Sequence, residues 1–114
     1  MEKMYTLARG GRARKFGYEE KPTEVVFHTG KDFSSSYSFT NNDLNGIVEY
    51  FKDKGWFILG NQVDNVKPDG MGAYFESIFG LSLVKLASHA AAYLVKQGKL
   101  LYRDDYGYLE FKVR

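Results

Sequence analysis

Cysteine is missing from this chain, and with it any disulfide framework or thiolate metal site. The two histidines, His28 and His89, stand far apart in sequence, and neither has a second ligand-type residue at metal spacing. No apolar run approaches the ~18 residues of a membrane span. No apolar run follows the N-terminal charges, as a secretory signal requires. A cytoplasmic protein with no membrane partner is expected. Gly10-Gly11 has no strand before it and no Gly-Lys-Ser/Thr after it, so it is not a P-loop. Asp64, Asn65 and Asp69 lack the Asp-x-Asp-x-Asp-Gly pattern and later Glu of a calcium loop. The run Ser34 to Ser38 offers hydroxyls, but no histidine or acid lies close in sequence to activate one. No enzyme, cofactor, metal or small-molecule substrate is therefore expected.

What is present is a chain of 114 residues with 44% hydrophobic and 17% aromatic content, enough to build one domain around a real core. The net charge of +2 hides a pattern. Lys3, Arg9, Arg12, Arg14 and Lys15 oppose only Glu2 at the start, and residues 81–114 are also net basic. The stretch between them is acidic. Such segregation points to a polyanion-facing surface or to two ordinary solvated clusters.

Residues 1–15 read as a flexible basic arm, because Ala8 to Lys15 has no apolar periodicity and carries two glycines. Guanidinium groups on such a segment suit phosphates or a minor groove. Residues 16–42 read as a β-hairpin. Thr23 to Thr29 centres on Val25, Val26 and Phe27, and Phe33 to Thr40 alternates Phe33, Ser35, Tyr37 and Phe39 with small hydroxyls. Gly30-Lys31-Asp32 makes the turn. His28 reads as a packed or edge residue.

Asn41-Asn42-Asp43 is a helix start. Leu44, Ile47, Val48 and Phe51 form an apolar stripe at helical spacing, Lys52 and Lys54 suit the last turn, and Gly55 suits the stop. Trp56 to Leu59 reads as a short buried strand, and Asn61 to Gly70 as a loop. Met71, Tyr74, Phe75 and Ile78 mark a second helix ending at Gly80. Ser82 is expected to cap a third helix running to Gln97, with Leu83, Leu86, Ala87, Ala90 and Leu94 inside. Its other face would be Ser82, Lys85, His89, Ala92 and Lys96, with Ser88 beside it. Lys99 to Tyr102 and Tyr108 to Val113 read as a terminal hairpin whose tip is Arg103 to Gly107.

Helix, short strand, two helices across a tight glycine turn and a hairpin, over residues 43–114, resemble the winged helix-turn-helix. The resemblance implies an α+β fold of three helices and a small antiparallel sheet, here with the additional N-terminal hairpin. It implies duplex DNA as partner, with the helix at 82–97 as recognition helix and a small regulator, of the kind phages and mobile elements carry, as the role. DNA contacts would come from Arg9, Arg12, Arg14 and Lys15 in the arm, from Ser82, Lys85, Ser88, His89 and Lys96 on the helix, and from Arg103 in the wing. The alternative is a protein-interaction module, an adaptor, inhibitor or dimerisation unit. The Ala90 to Ala92 run, the acids Asp104 and Asp105 at the wing tip and the nearby tyrosines fit that alternative. The inner stripe is testable. Leu86→Ala is expected to destabilise the fold by about 2–5 kcal/mol in chemical denaturation, as truncation of a core leucine does. A near-zero loss would remove Leu86 from the core.

Overall fold

Four antiparallel strands open the chain: β1 (Glu2–Tyr5), β2 (Lys15–Glu20), β3 (Glu24–Thr29) and β4 (Ser35–Thr40), side by side in that order. The computed structural model describes residues 1–7, 13–62, 64–104 and 109–114. The expected hairpin is thus the β3–β4 half of a four-stranded meander. The expected arm is corrected as well: Glu2–Tyr5 is an edge strand paired to β2 from Glu2↔Tyr18 to Tyr5↔Lys15. Thr6 N then donates to Arg14 O at 2.9 Å and Arg14 N donates to Thr6 Oγ1 at 2.9 Å, which pins the backbone of Arg14. These strands escaped the sequence reading because glycine and charge interrupt their pattern. In β2 only Phe16 and Tyr18 carry the apolar alternation, around Gly17 and between Lys15 and Glu19.

Thr40, not Asn41 to Asp43, caps α1 (Asn41–Phe51). Asp43 N donates to Thr40 Oγ1 at 3.0 Å and Thr40 N to Asp43 Oδ2 at 2.9 Å, a reciprocal capping box. The helix stops at Phe51, before Gly55, which takes φ 68° in the following turn. β5 (Phe57–Ile58) follows as expected. The expected loop holds a small hairpin, β6 (Asn61–Gln62) with β7 (Asn65–Val66). Next come α2 (Met71–Phe79), a 3-10 helix (Leu81–Leu86) and α3 (Ala87–Lys96). Ser82 therefore sits inside the 3-10 segment and caps nothing. The tight turn at Gly80 (φ 96°) feeds directly into it, with Leu83 N donating to Gly80 O at 3.1 Å. β8 (Leu100–Arg103) and β9 (Glu110–Val113) close the chain, and β5 pairs with β9 to give the order β5-β9-β8. The expected wing tip lies partly outside the described residues, at 105–108. Among the described residues no helix is long and apolar enough to cross a membrane.

α3 is wrapped. Ala87, Ala90, Ala91, Ala92, Tyr93 and Leu94 are all buried. The Tyr93 ring meets Tyr18 and Phe27 of the meander edge-on at centroid distances of 5.4 and 5.7 Å. Its hydroxyl donates to Glu20 Oε2 at 2.7 Å. Phe39 of β4 packs on Phe75 and Phe79 of α2 at 5.8 and 5.1 Å. Away from the meander, Phe51 stacks on Phe57 at 3.9 Å, and Phe57 leans on Phe111 at 6.0 Å. The face expected to point outward is thus corrected: Ala92 is only 2% exposed, and the His89 ring packs against Phe16 at 4.8 Å. Meander and helices share one continuous apolar core.

One glycine sets the close approach of α2 to the chain before it. Gly72 N donates to Leu59 O at 2.8 Å, and a Cβ there would run into the Gly60 carbonyl and lie 2.8 Å from Asn61 Cα. Backbone cannot step aside as a side chain can. Gly72→Ala is therefore expected to destabilise the fold by about 1–3 kcal/mol despite alanine's better helix propensity, read as a lowered denaturation midpoint. A stabilised variant would contradict this packing.

Candidate functional site

Where the meander meets the start of α3, the two leave a cavity of about 770 Å³ between them. Its cations come from separate parts of the chain: Arg14 and Lys15 at the start of β2, Lys31 in the turn after β3, and Lys85 in the 3-10 helix. Thr29, Gly30, Ser35, Tyr37, Asn61, Ser88 and His89 complete much of the lining, and no carboxylate is among the described lining residues. None of these four cations lies within ion-pair distance of a described carboxylate. Elsewhere Lys52 has Glu49 at 3.7 Å and Arg103 has Glu110 at 3.0 Å.

Tyrosine rings accompany two of these charges. Lys85 Nζ lies over the Tyr37 ring at 5.6 Å, and Lys15 Nζ lies 6.0 Å from the Tyr5 ring centre. A cation–π contact steadies an ammonium while leaving its positive field unneutralised. Lys31 belongs to a turn with two consecutive non-glycine residues at positive φ, Asp32 (55°) and Phe33 (56°). Such backbone costs on the order of 1 kcal/mol per residue and needs its surroundings to hold it. Phe33 N bonds Gly30 O at 3.1 Å and Ser34 N bonds Lys31 O at 3.2 Å, closing the turn that sets Lys31 on the rim.

His89 lines the cavity with its ring half-covered by Phe16. Burial pushes its pKa below the usual imidazole range; a backbone hydrogen bond at Lys85 opposes this, and the charges of Lys85 and Arg14 add to it. A neutral His89 beside uncompensated cations is the result. Ser88 Oγ donates to Lys85 O at 3.2 Å and lies 3.4 Å from His89 Nδ1. The site can therefore hold an anion by charge and by hydrogen-bond donors together.

Of the residues singled out from sequence, Arg14, Lys15, Lys85, Ser88 and His89 meet in this cleft. Arg9 and Arg12 lie outside the described residues. Ser82 is exposed in the 3-10 helix and away from the cleft lining. Lys96 lies over the Tyr18 ring at 5.9 Å. Arg103 is bound to Glu110 and stacks on Trp56 at 4.0 Å. Sequence reasoning missed Lys31, Tyr37 and Asn61. A lysine in a turn and a tyrosine in an alternating strand gave no signal until the register placed Thr29 opposite Ser35 and Phe27 opposite Tyr37.

A second cluster was also hidden. Ser36 Oγ lies 3.0 Å from His28 Nδ1, and His28 Nε2 lies 2.6 Å from Glu19 Oε1. Nε2 donates its proton to the carboxylate, which can only accept, and in the neutral imidazole Nδ1 then accepts from the serine. Adjacent strands bring together what sequence separates. Strand alternation puts His28 and Ser36 on the face opposite Phe27, Thr29, Ser35 and Tyr37, and hence away from the cleft. The chain of bonds ties β2, β3 and β4 across their outer face.

The sign of the His89 contribution follows from its lowered pKa. The unfolded chain binds a proton near the ordinary value of ~6.5, while the folded chain resists it. Stability is therefore lost as pH falls below that value, down to the lower folded pKa, where the loss is complete. His89→Gln is expected to lose less melting temperature than the parent between neutral and mildly acidic pH; an unchanged difference would mean that the imidazole is solvated in the fold. The chain matches no family model, no curated protein and no solved structure, and the role of the cleft is inferred from its own geometry.

Proposed function

We propose that this chain is a nucleic-acid-binding protein, duplex DNA included, that holds the phosphate backbone in the cleft between meander and helices. The observation that carries the reading is the convergence of Arg14, Lys15, Lys31 and Lys85 on one cavity with no carboxylate among its described lining residues. Like charges gathered from separate segments repel one another and weaken the fold, so their grouping fits a polyanion that supplies the missing counter-charge. The role is binding rather than catalysis.

The α+β unit after the meander supports a winged helix-turn-helix-like reading. Its order is α1, β5, the β6–β7 hairpin, α2, the 3-10 helix, α3, β8, β9, and its first strand joins the sheet beside the last, as β5-β9-β8. The departure lies in α3. Its would-be reading face is under the meander, so contact would run through the cleft beside its start and not through helix insertion into a groove. The protein-contact reading has its own observation: Leu101 and Tyr102 stand 39% and 50% exposed on β8, an edge strand.

Fluorescence anisotropy with a labelled DNA duplex, titrated across salt, tests the reading. Binding is expected to weaken steeply with salt, and Lys31→Gln or Lys85→Gln is expected to lower the log–log slope by roughly 0.9 each while leaving thermal stability nearly unchanged. Lys112→Gln, outside the cleft lining, serves as the control. Equal slopes for all the variants would remove the cleft from binding.

A further inference from the structure

We propose that the preferred ligand of the cleft is a single-stranded nucleic acid, with Tyr37 as a stacking platform for a base; this rests on the reading of the cleft as a phosphate site. The cations line the walls of a concavity of about 770 Å³. A duplex presents its phosphates on the outside of a wide, stiff rod and would reach fewer of these groups at once. A single strand bends, and its phosphates can follow the walls inward. The face of α3 expected to read a duplex from within a groove is largely covered: His89 packs on Phe16 and Ala92 is buried.

Phosphate charge alone does not need an aromatic wall, and this cleft has one. Tyr37 lines it, with Lys85 Nζ over the ring at 5.6 Å. The cation–π contact that steadies this ammonium is weak enough at an exposed site for a ligand to displace it. An incoming base takes its place on the ring, and the lysine turns to the adjoining phosphate. Ser35 and Thr29 offer hydroxyls around the same space, and Ser88 and Asn61, which donate to Lys85 O, keep oxygens able to accept from a base edge. The Tyr5–Lys15 pair lies on the other face of the meander, with Gly17 and His28, and is not part of this stacking site. An aromatic ring beside a cation in the cleft suits a flexible strand with accessible bases and gives a duplex, whose bases are stacked inside, nothing to stack on.

Three probes at one salt concentration test this: a mixed-sequence DNA single strand, its duplex, and inorganic polyphosphate, which has the charge without bases. The single strand is expected to bind at least several-fold more tightly than the duplex. Tyr37→Leu is expected to weaken the single strand roughly tenfold, within the range of one lost base stack, and to leave polyphosphate unchanged. Tyr37→Phe, which keeps the ring, is expected to restore the loss and guards against a merely structural effect, with melting temperatures measured for both. A duplex bound as well as the single strand, or a Tyr37→Leu loss of equal size for polyphosphate, would overturn single-strand preference and leave the phosphate site standing. Failure of all three probes to bind would overturn the phosphate site itself and this inference with it.

Discussion

The contact between Tyr93 and the meander is the interaction on which the rest of this structure depends. α3 has an alanine-rich flank, Ala87, Ala90, Ala91 and Ala92, that lets neighbours come close, and one large ring that fills the space toward the sheet. Tyr93 meets Tyr18 and Phe27 edge-on and gives its hydroxyl proton to Glu20. Burial and the Glu20 carboxylate both push its pKa far up, so the phenol stays a neutral donor at any working pH. A phenol–carboxylate bond of this kind is stronger than one between neutral groups. Together with Phe39 on Phe75 and Phe79, the Tyr93 contact covers the apolar face of the meander. With it, the seam between sheet and helices is fixed, and the cleft is a feature of that seam.

That seam also explains how charges scattered in sequence become a site. The basic groups at the start of the chain and those after Gly80 are far apart along it, and the antiparallel sheet folds one set over the other. Their company is aromatic: Tyr37 for Lys85, Tyr5 for Lys15. A carboxylate at any of these places would neutralise the cleft; a π-face does not. The surface pair Lys52–Glu49 and the partly buried pair Arg103–Glu110 illustrate the other outcome, in which positive charge is compensated locally and directs nothing outward.

Much of the second half was legible in sequence because its signals are local. The stripes Leu44–Ile47–Phe51 and Met71–Phe75, the stop at Gly80, the short strand after α1 and the terminal hairpin all rest on helical or strand periodicity within one segment. The first half was legible only where alternation was clean, in β3 and β4. β1 has no apolar face of its own and exists by pairing with β2. The same limit hid the Glu19–His28–Ser36 chain, since only register makes neighbours of residues on three strands. The third helix misled for a different reason. Lys, Ser and His at helical spacing describe an exposed face by composition, but whether another layer covers that face is a tertiary fact. Here the covering layer is the part of the chain whose strands were hardest to read. The basic residues were still worth singling out, because Arg14, Lys15 and Lys85 reach the cleft wall whether or not the backbone that carries them is exposed.

A cleft of unpaired cations makes the fold and its proposed binding answer to salt in opposite directions. In the free chain Arg14, Lys15, Lys31 and Lys85 repel one another across the cavity, and screening relieves that repulsion. For a bound polyanion the same screening removes attraction and the gain from counterion release. Stability and affinity are thus set against each other at one place, as expected where a site is kept charged at the expense of the fold around it. The aromatic core beneath, from Phe16 through Phe27 and Tyr93 to Phe39 and Phe75, is what allows the chain to carry that unfavourable charge and remain folded. Burial of such rings contributes on the order of 2–3 kcal/mol each, whereas repulsion between partly solvated cations several ångströms apart costs on the order of 1 kcal/mol per pair or less. The larger effect wins, and it acts next to the smaller one, because His89 in the cleft lining packs directly on Phe16 of that core.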